Sequence, residues 1–170
     1  MQHRGLSEPH LFNAGPNPLK LIRNLSGLIL ETEIEKIKLE IRRNVRLLYN
    51  LGVGHFEFAC ALDKAQWRQR VSRYYYGAYN VKRAVSLQHS GLFSTDSSDH
   101  RTVDQLPPEL GNAEEYKSKL ANLRDDRNLA DYSHLGEVAD LLIAPDACQE
   151  FVSSFIISAK QYLISNNVDL

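Results

Sequence analysis

Apolar residues recur along this chain at intervals of three and four, the period of a helix with one buried face, and no run alternates as a half-buried strand would. Ile34, Ile37, Ile41, Val45 and Leu48 share one face of a predicted helix; Thr32 and Glu35 stand at capping-box spacing at its start, and Gly52 ends it. The apolar stretch of mixed period from Val53 to Leu62 reads as a separate short helix. Asp63 with Gln66 opens a second long helix, whose seam runs Trp67, Val71, Tyr74, Ala78, Val81 and Val85 before Gly91 closes it. Residues 92–111, with the Pro107-Pro108 pair, read as a long loop. Asn112 with Glu115 starts a third helix, with the stripe Tyr116, Leu120, Leu123, Arg127, Ala130 and His134, broken at Gly136. Val138 to Ile143 form a short apolar turn, and Pro145 opens a last helix with Cys148, Val152, Phe155, Ala159 and Tyr162 in register. The pattern predicts an all-α protein, an up-down bundle of four to six helices.

Residues 1–18, with Pro9, Pro16, Pro18, Gly5 and Gly15, read as a loose arm, leaving 19–170 as one domain. The apolar stretch Leu19 to Leu30 is interrupted by Lys20, Arg23 and Asn24, so neither a signal peptide nor a membrane span is expected. A formal charge of −1 and an isoelectric point near 6.6 mean that any anion site must be local. Cys60 and Cys148 sit among apolar helix formers and read as reduced thiols used as small core residues, in keeping with a cytoplasmic location. The six histidines, His3, His10, His55, His89, His100 and His134, form no helical ligand pair, and no cysteine adjoins a histidine as a nucleophile would. Neither a metal nor another cofactor is expected.

Arg127 and His134 then stand out, because they occupy positions that the third helix's stripe reserves for the interior. Seven residues apart, they would share a face about 10 Å apart along the axis. One reading is structural: Asp131, four residues after Arg127, supplies an ion pair, and a histidine near a helix end satisfies carbonyls. The other is phosphate chemistry. A guanidinium is a permanent forked donor for phosphate oxygens, and an imidazole exchanges a proton near neutrality. Together they could cleave RNA without a metal, His134 moving a proton for attack by the ribose 2′-hydroxyl and Arg127 holding charge on phosphorus. One imidazole cannot serve both the attacking and the leaving oxygen at once, so a symmetric dimer would supply the second. Asn128 is a candidate polar orienter. Between Lys64 and Thr95 the basic residues Lys64, Arg68, Arg70, Arg73, Lys82 and Arg83 run with no acidic residue, interleaved with Tyr74, Tyr75, Tyr76 and Tyr79. Such a stretch can track a nucleic-acid backbone, or can be the solvated face and core of one helix.

Ser72-Arg-Tyr-Tyr-Tyr-Gly-Ala-Tyr-Asn-Val-Lys-Arg-Ala-Val85, a loop with His100, and Leu123-Arg-Asp-Asp-Arg-Asn-Leu-Ala-Asp-Tyr-Ser-His134 together resemble the HEPN family. The resemblance spans roughly residues 30 to 165, with the segment from Arg127 to His134 as its most specific part. It implies a helical bundle that dimerises and, in the catalytic branch, a metal-independent endoribonuclease of the toxin or defence type. By the family pattern of arginine, four to six residues, then histidine, Arg127, His134 and the following polar residue Asn128 become the catalytic candidates, with Asp131 and Tyr132 in support. Arg73, Lys82, Arg83 and Arg124 are the candidate RNA contacts. The implied partners are an RNA substrate, a second copy of the chain, and a cognate antitoxin or defence-complex protein. In several members a nucleotidyltransferase antitoxin modifies a tyrosine two places after the histidine; here that place is Gly136. Noncatalytic members, which bind nucleotide, RNA or protein, form the alternative. His100 reads as a structural turn contact.

Overall fold

A computed structural model of the chain describes residues 17–92 and 97–170. Five α-helices make up the described fold: α1 (Pro18–Leu25), α2 (Glu31–Ala61), α3 (Trp67–Ser90), α4 (Ala113–Tyr132) and α5 (Pro145–Ser165). Two 3-10 turns, Ser97–Thr102 and Val138–Asp140, lie in the connections. The protein is an all-helical bundle, with no strand among the described residues. Most of the arm predicted over residues 1–18 lies outside them. Its last two residues belong to the fold: Pro18 opens α1, and Asn17 caps it by accepting from the Lys20 amide at 2.9 Å.

The core forms around α3. This helix packs against α2, α4 and α5, so its burial is not confined to the predicted seam. Val71, Tyr74, Ala78, Val81 and Val85 are buried, and so are Tyr75, Tyr79, Ala84 and Leu87 on other faces. From α4 come Tyr116, Leu120, Leu123 and Ala130, and from α5 Cys148, Val152, Phe155, Ala159 and Tyr162, as their spacing predicts. Three buried residues of the 92–111 segment, Val103, Leu106 and Leu110, pin it to the same core.

Several boundaries differ from the expected ones. The helix expected to stop at Gly52 runs on through Val53 to Ala61 as one element. Gly52 is a crossing point: a β-carbon there would stand 2.6 Å from Val81 Cγ2 and 2.7 Å from the Gly77 carbonyl oxygen. Close approach of α3 explains the glycine, and helical dihedrals continue through it. α2 also begins at Glu31, one residue ahead of Thr32, and has no side-chain cap, so the Thr32/Glu35 box does not form. Glu35 pairs with Lys38 instead, at 2.7 Å. Asp63 makes a local turn, accepting from the Ala65 amide at 2.8 Å, and α3 starts at Trp67. Asn112 precedes α4 through a left-handed backbone, φ 61°, rather than by a side-chain cap. Gly91 ends α3 as predicted, in the left-handed region at φ 70°. Cys148 is buried, but Cys60 is exposed and is no core residue.

Candidate functional site

Arg127 lies on α4 facing α3, and a set of aromatic rings holds its side chain, which is 13% exposed. Its guanidinium carbon stands 5.6 Å from the ring centre of Tyr75, 5.2 Å from that of Tyr76 and 5.3 Å from that of Tyr132. One terminal nitrogen donates to the Tyr76 hydroxyl and the other to Asn128 Oδ1 at 3.2 Å, while Nε lies 2.7 Å from Asp131 Oδ2. Burial works against the charge, but the Tyr76 hydrogen bond and then the nearby phenols and the Asp131 carboxylate outweigh it, holding this guanidinium above its usual value. The i, i+4 ion pair expected from the spacing of Arg127 and Asp131 is therefore present. Asn128 touches Arg127 as an orienting amide would.

An open basin of about 490 Å³ lies over this arrangement, lined by Tyr75, His100, Arg101, Arg124, Arg127, Asn128 and Tyr132. It gathers three guanidiniums and an imidazole with no acidic residue among its lining side chains, although the whole chain is nearly neutral. Asp131 and Asp125, outside that lining, are each paired with an arginine of the basin, Asp125 Oδ1 at 3.0 Å from Arg124 Nε. Tyr132 is 73% exposed and offers a ring at the rim. Such a basin suits an anion whose other face carries an aromatic or apolar group.

His134 does not share the inward face of α4. The helix ends at Tyr132, and Ser133 adopts extended dihedrals, φ −91° and ψ 109°, so the helical register stops one residue before His134. His134 is exposed on the following turn. Arg68 of α3 explains the stop: its guanidinium takes the carbonyls of Ala130, Ser133 and Gly136, at 2.9, 2.7 and 2.5 Å, and so ties off the helix end. Asp126 anchors the continuation, its two carboxylate oxygens accepting from the Leu142 and Ile143 amides at 2.7 and 2.9 Å. Arg127 and His134, expected on one helix face, therefore lie on different elements, the first on α4 and the second on the turn beyond it.

The basic stretch of α3 is dispersed around the helix and does not form one track. Arg73 is exposed beside His55, 3.5 Å from Nδ1, and over the Phe58 ring. Burial, and then the Arg73 charge, hold the His55 ring below its ordinary value. Lys82 is buried beside Thr102, and Arg83 lies over the Tyr79 ring with Asn80 at 3.4 Å. Lys82 and Arg83 line a separate cleft of about 340 Å³ with Ser86, His89 and Thr102. Of the four candidate RNA contacts, only Arg124 joins Arg127. Tyr74 and Tyr75 are fully buried and Tyr79 nearly so, which removes them as faces for an exposed base.

His100, expected only as a turn contact, is brought to the basin by the Ser97–Thr102 turn. Its Nδ1 lies 2.7 Å from the Tyr75 hydroxyl, and its ring stacks on Tyr79 at 4.3 Å and 25°. Burial pushes the Tyr75 phenol well above its usual range, so it remains a hydroxyl. The sequence pattern does not mark Arg101, and it marks Tyr75 only as one ring of the tyrosine run. Tyr75 falls outside the period of the α3 seam, and Arg101 lies in a loop where no periodicity applies. No family model, curated protein or solved structure matches the chain.

Proposed function

We propose that the chain is a metal-independent endoribonuclease of the HEPN type, acting as a toxin or defence effector. One observation carries this reading: Arg127, ringed by Tyr75, Tyr76 and Tyr132 and oriented by Asn128, presents its charge to a basin shared with Arg124 and Arg101. Fixed donors are what a phosphodiester requires as negative charge builds on its oxygens. The ribose 2′ oxygen attacks phosphorus, the bond to the 5′ oxygen breaks, and the products are a 2′,3′-cyclic phosphate and a 5′-hydroxyl. His134 takes part in the proton transfers from the exposed turn two residues beyond Tyr132, in a dimer that apposes two such turns. Leu135, Val138 and Leu142, exposed on that same segment, give a second copy apolar surface to cover. A cognate antitoxin or defence-complex partner would restrain the activity.

The Arg127–Asp131 ion pair and the outward position of His134 favour a second reading, a noncatalytic module that binds nucleotide, RNA or a protein. Incubation of the wild type and of Arg127→Ala with total RNA in EDTA separates the two. Cleavage by the wild type that falls by at least about 100-fold in the variant is the expected result. Intact RNA in both arms, with RNA still bound, would establish the binding module instead.

A further inference from the structure

The 2′-hydroxyl reaction needs two proton transfers, one at the attacking oxygen and one at the leaving oxygen, and the segment from Arg127 to His134 supplies a single imidazole per chain. We infer that His100 is a second proton-transferring residue, seated at the Arg127 basin itself. This assignment rests on the ribonuclease reading above and adds a catalytic residue to it.

The geometry behind it does not involve His134. His100 and Arg127 meet on the same pair of tyrosines. The Tyr75 hydroxyl lies 2.7 Å from His100 Nδ1, and the Tyr75 ring faces the Arg127 guanidinium at 5.6 Å. Tyr76 receives a hydrogen bond from Arg127 and stands edge-on to His100, ring centres 6.3 Å apart. Tyr79, stacked on His100 at 4.3 Å, fixes the plane of the imidazole. The ring is thus held in place at the wall of the basin where Arg127, Arg124 and Arg101 would seat a phosphate.

A phenol is an apt partner for an imidazole that must change its protonation state. A hydroxyl both donates and accepts, so the contact with Nδ1 survives whether or not the ring is charged. When Nδ1–H donates to the Tyr75 oxygen, the proton that comes and goes is the one on Nε2. Tyr75 is a positioning residue on this view, because it acts through His100. Among the described residues, the charged and titratable groups that meet the ring or share its basin include Tyr75, Tyr76 and Tyr79 of α3, Arg101 of its own turn, and Arg124 and Arg127 of α4.

The atoms balance without a further reagent. One neutral imidazole takes the 2′-hydroxyl proton as the bond from the 2′ oxygen to phosphorus forms. The bond from phosphorus to the 5′ oxygen breaks, and that oxygen takes a proton from the other imidazole in its charged form. His100 performs one of these transfers and leaves the other to His134.

The test is cleavage of a single-stranded RNA oligonucleotide in EDTA across a range of pH, with the full chain and with the His100→Asn, Tyr75→Phe and Arg127→Ala variants. Binding of the 2′-deoxy oligonucleotide, which cannot be cleaved, and a thermal melt of each variant accompany it. His100→Asn is expected to slow cleavage by at least about 100-fold and to erase one limb of the pH profile, with binding of the deoxy strand kept. Tyr75→Phe, which keeps the ring against His100 and removes only the hydroxyl, is expected to displace that limb. Should His100→Asn melt early, Tyr75→Phe decides alone, and an unmoved pH profile there overturns the assignment. Wild-type rates in His100→Asn beside a silent Arg127→Ala would overturn the role of His100 while leaving the ribonuclease reading intact. A wild type that cleaves nothing removes both.

Discussion

Asp126 shows how much one side chain can decide in this fold. It is 2% exposed, yet it is ionisable, and its two oxygens accept from consecutive amides of the segment beyond α4. Burial raises its carboxyl above the usual value, against the two amides that favour the charged form. Asp126→Ala strands both amides, and we expect a loss of roughly 2–4 kcal/mol in chemical denaturation. Asn in its place should recover part of that loss, since its carbonyl oxygen can still accept. An Ala variant as stable as the wild type would show that water satisfies the two amides. Nothing in the spacing of the α4 stripe marked this position. Asp126 precedes Arg127 and reads as one more charge in Arg-Asp-Asp-Arg, because a carboxylate that caps another segment leaves no periodic trace.

Among the elements, α2 and α3 were legible in their apolar faces and misjudged in their punctuation. A glycine inside a periodic run predicts an end when it supplies a turn, as Gly91 does with its positive φ. It predicts nothing of the kind when it serves as a contact, as Gly52 does against Gly77 and Val81. Gly52→Ala is accordingly expected to destabilise the bundle by about 1–3 kcal/mol, although alanine is the better helix former. Gly54→Ala, with nothing near its added carbon, should be neutral or stabilising. Equal melting temperatures for the two variants would show that α2 and α3 do not meet as closely as described. The end of α4 carries the same lesson in another form. Its register runs unbroken into Tyr132, and the stop comes from Arg68, an arginine of α3 distant in sequence that takes the carbonyls of Leu129, Ala130, Ser133 and Gly136.

For the molecule as a whole, the proposed chemistry demands a second copy if His134 is to work from its exposed turn. Sedimentation of the purified chain is expected to give a mass near twice 19.3 kDa, and Leu135→Glu, placing a charge on the apolar turn, should shift it toward the monomer and lower cleavage together. A monomer that cleaves RNA at full rate would remove the dimer from the proposal and leave the transfers to groups within one chain. By itself the sequence determined the helical class, the apolar stripes of α4 and α5 and one buried seam of α3, and the Arg127–Asp131 pair, since each depends on residues a turn or two apart in one helix. The tertiary structure alone decided that the α3 cations would scatter around their helix, that His134 would leave α4, and that His100 and Arg101 would join Arg124 and Arg127 at one basin. Those outcomes turn on how elements distant in the chain approach one another, and a repeat of three and four residues specifies which face of a helix is buried but not which partner covers it.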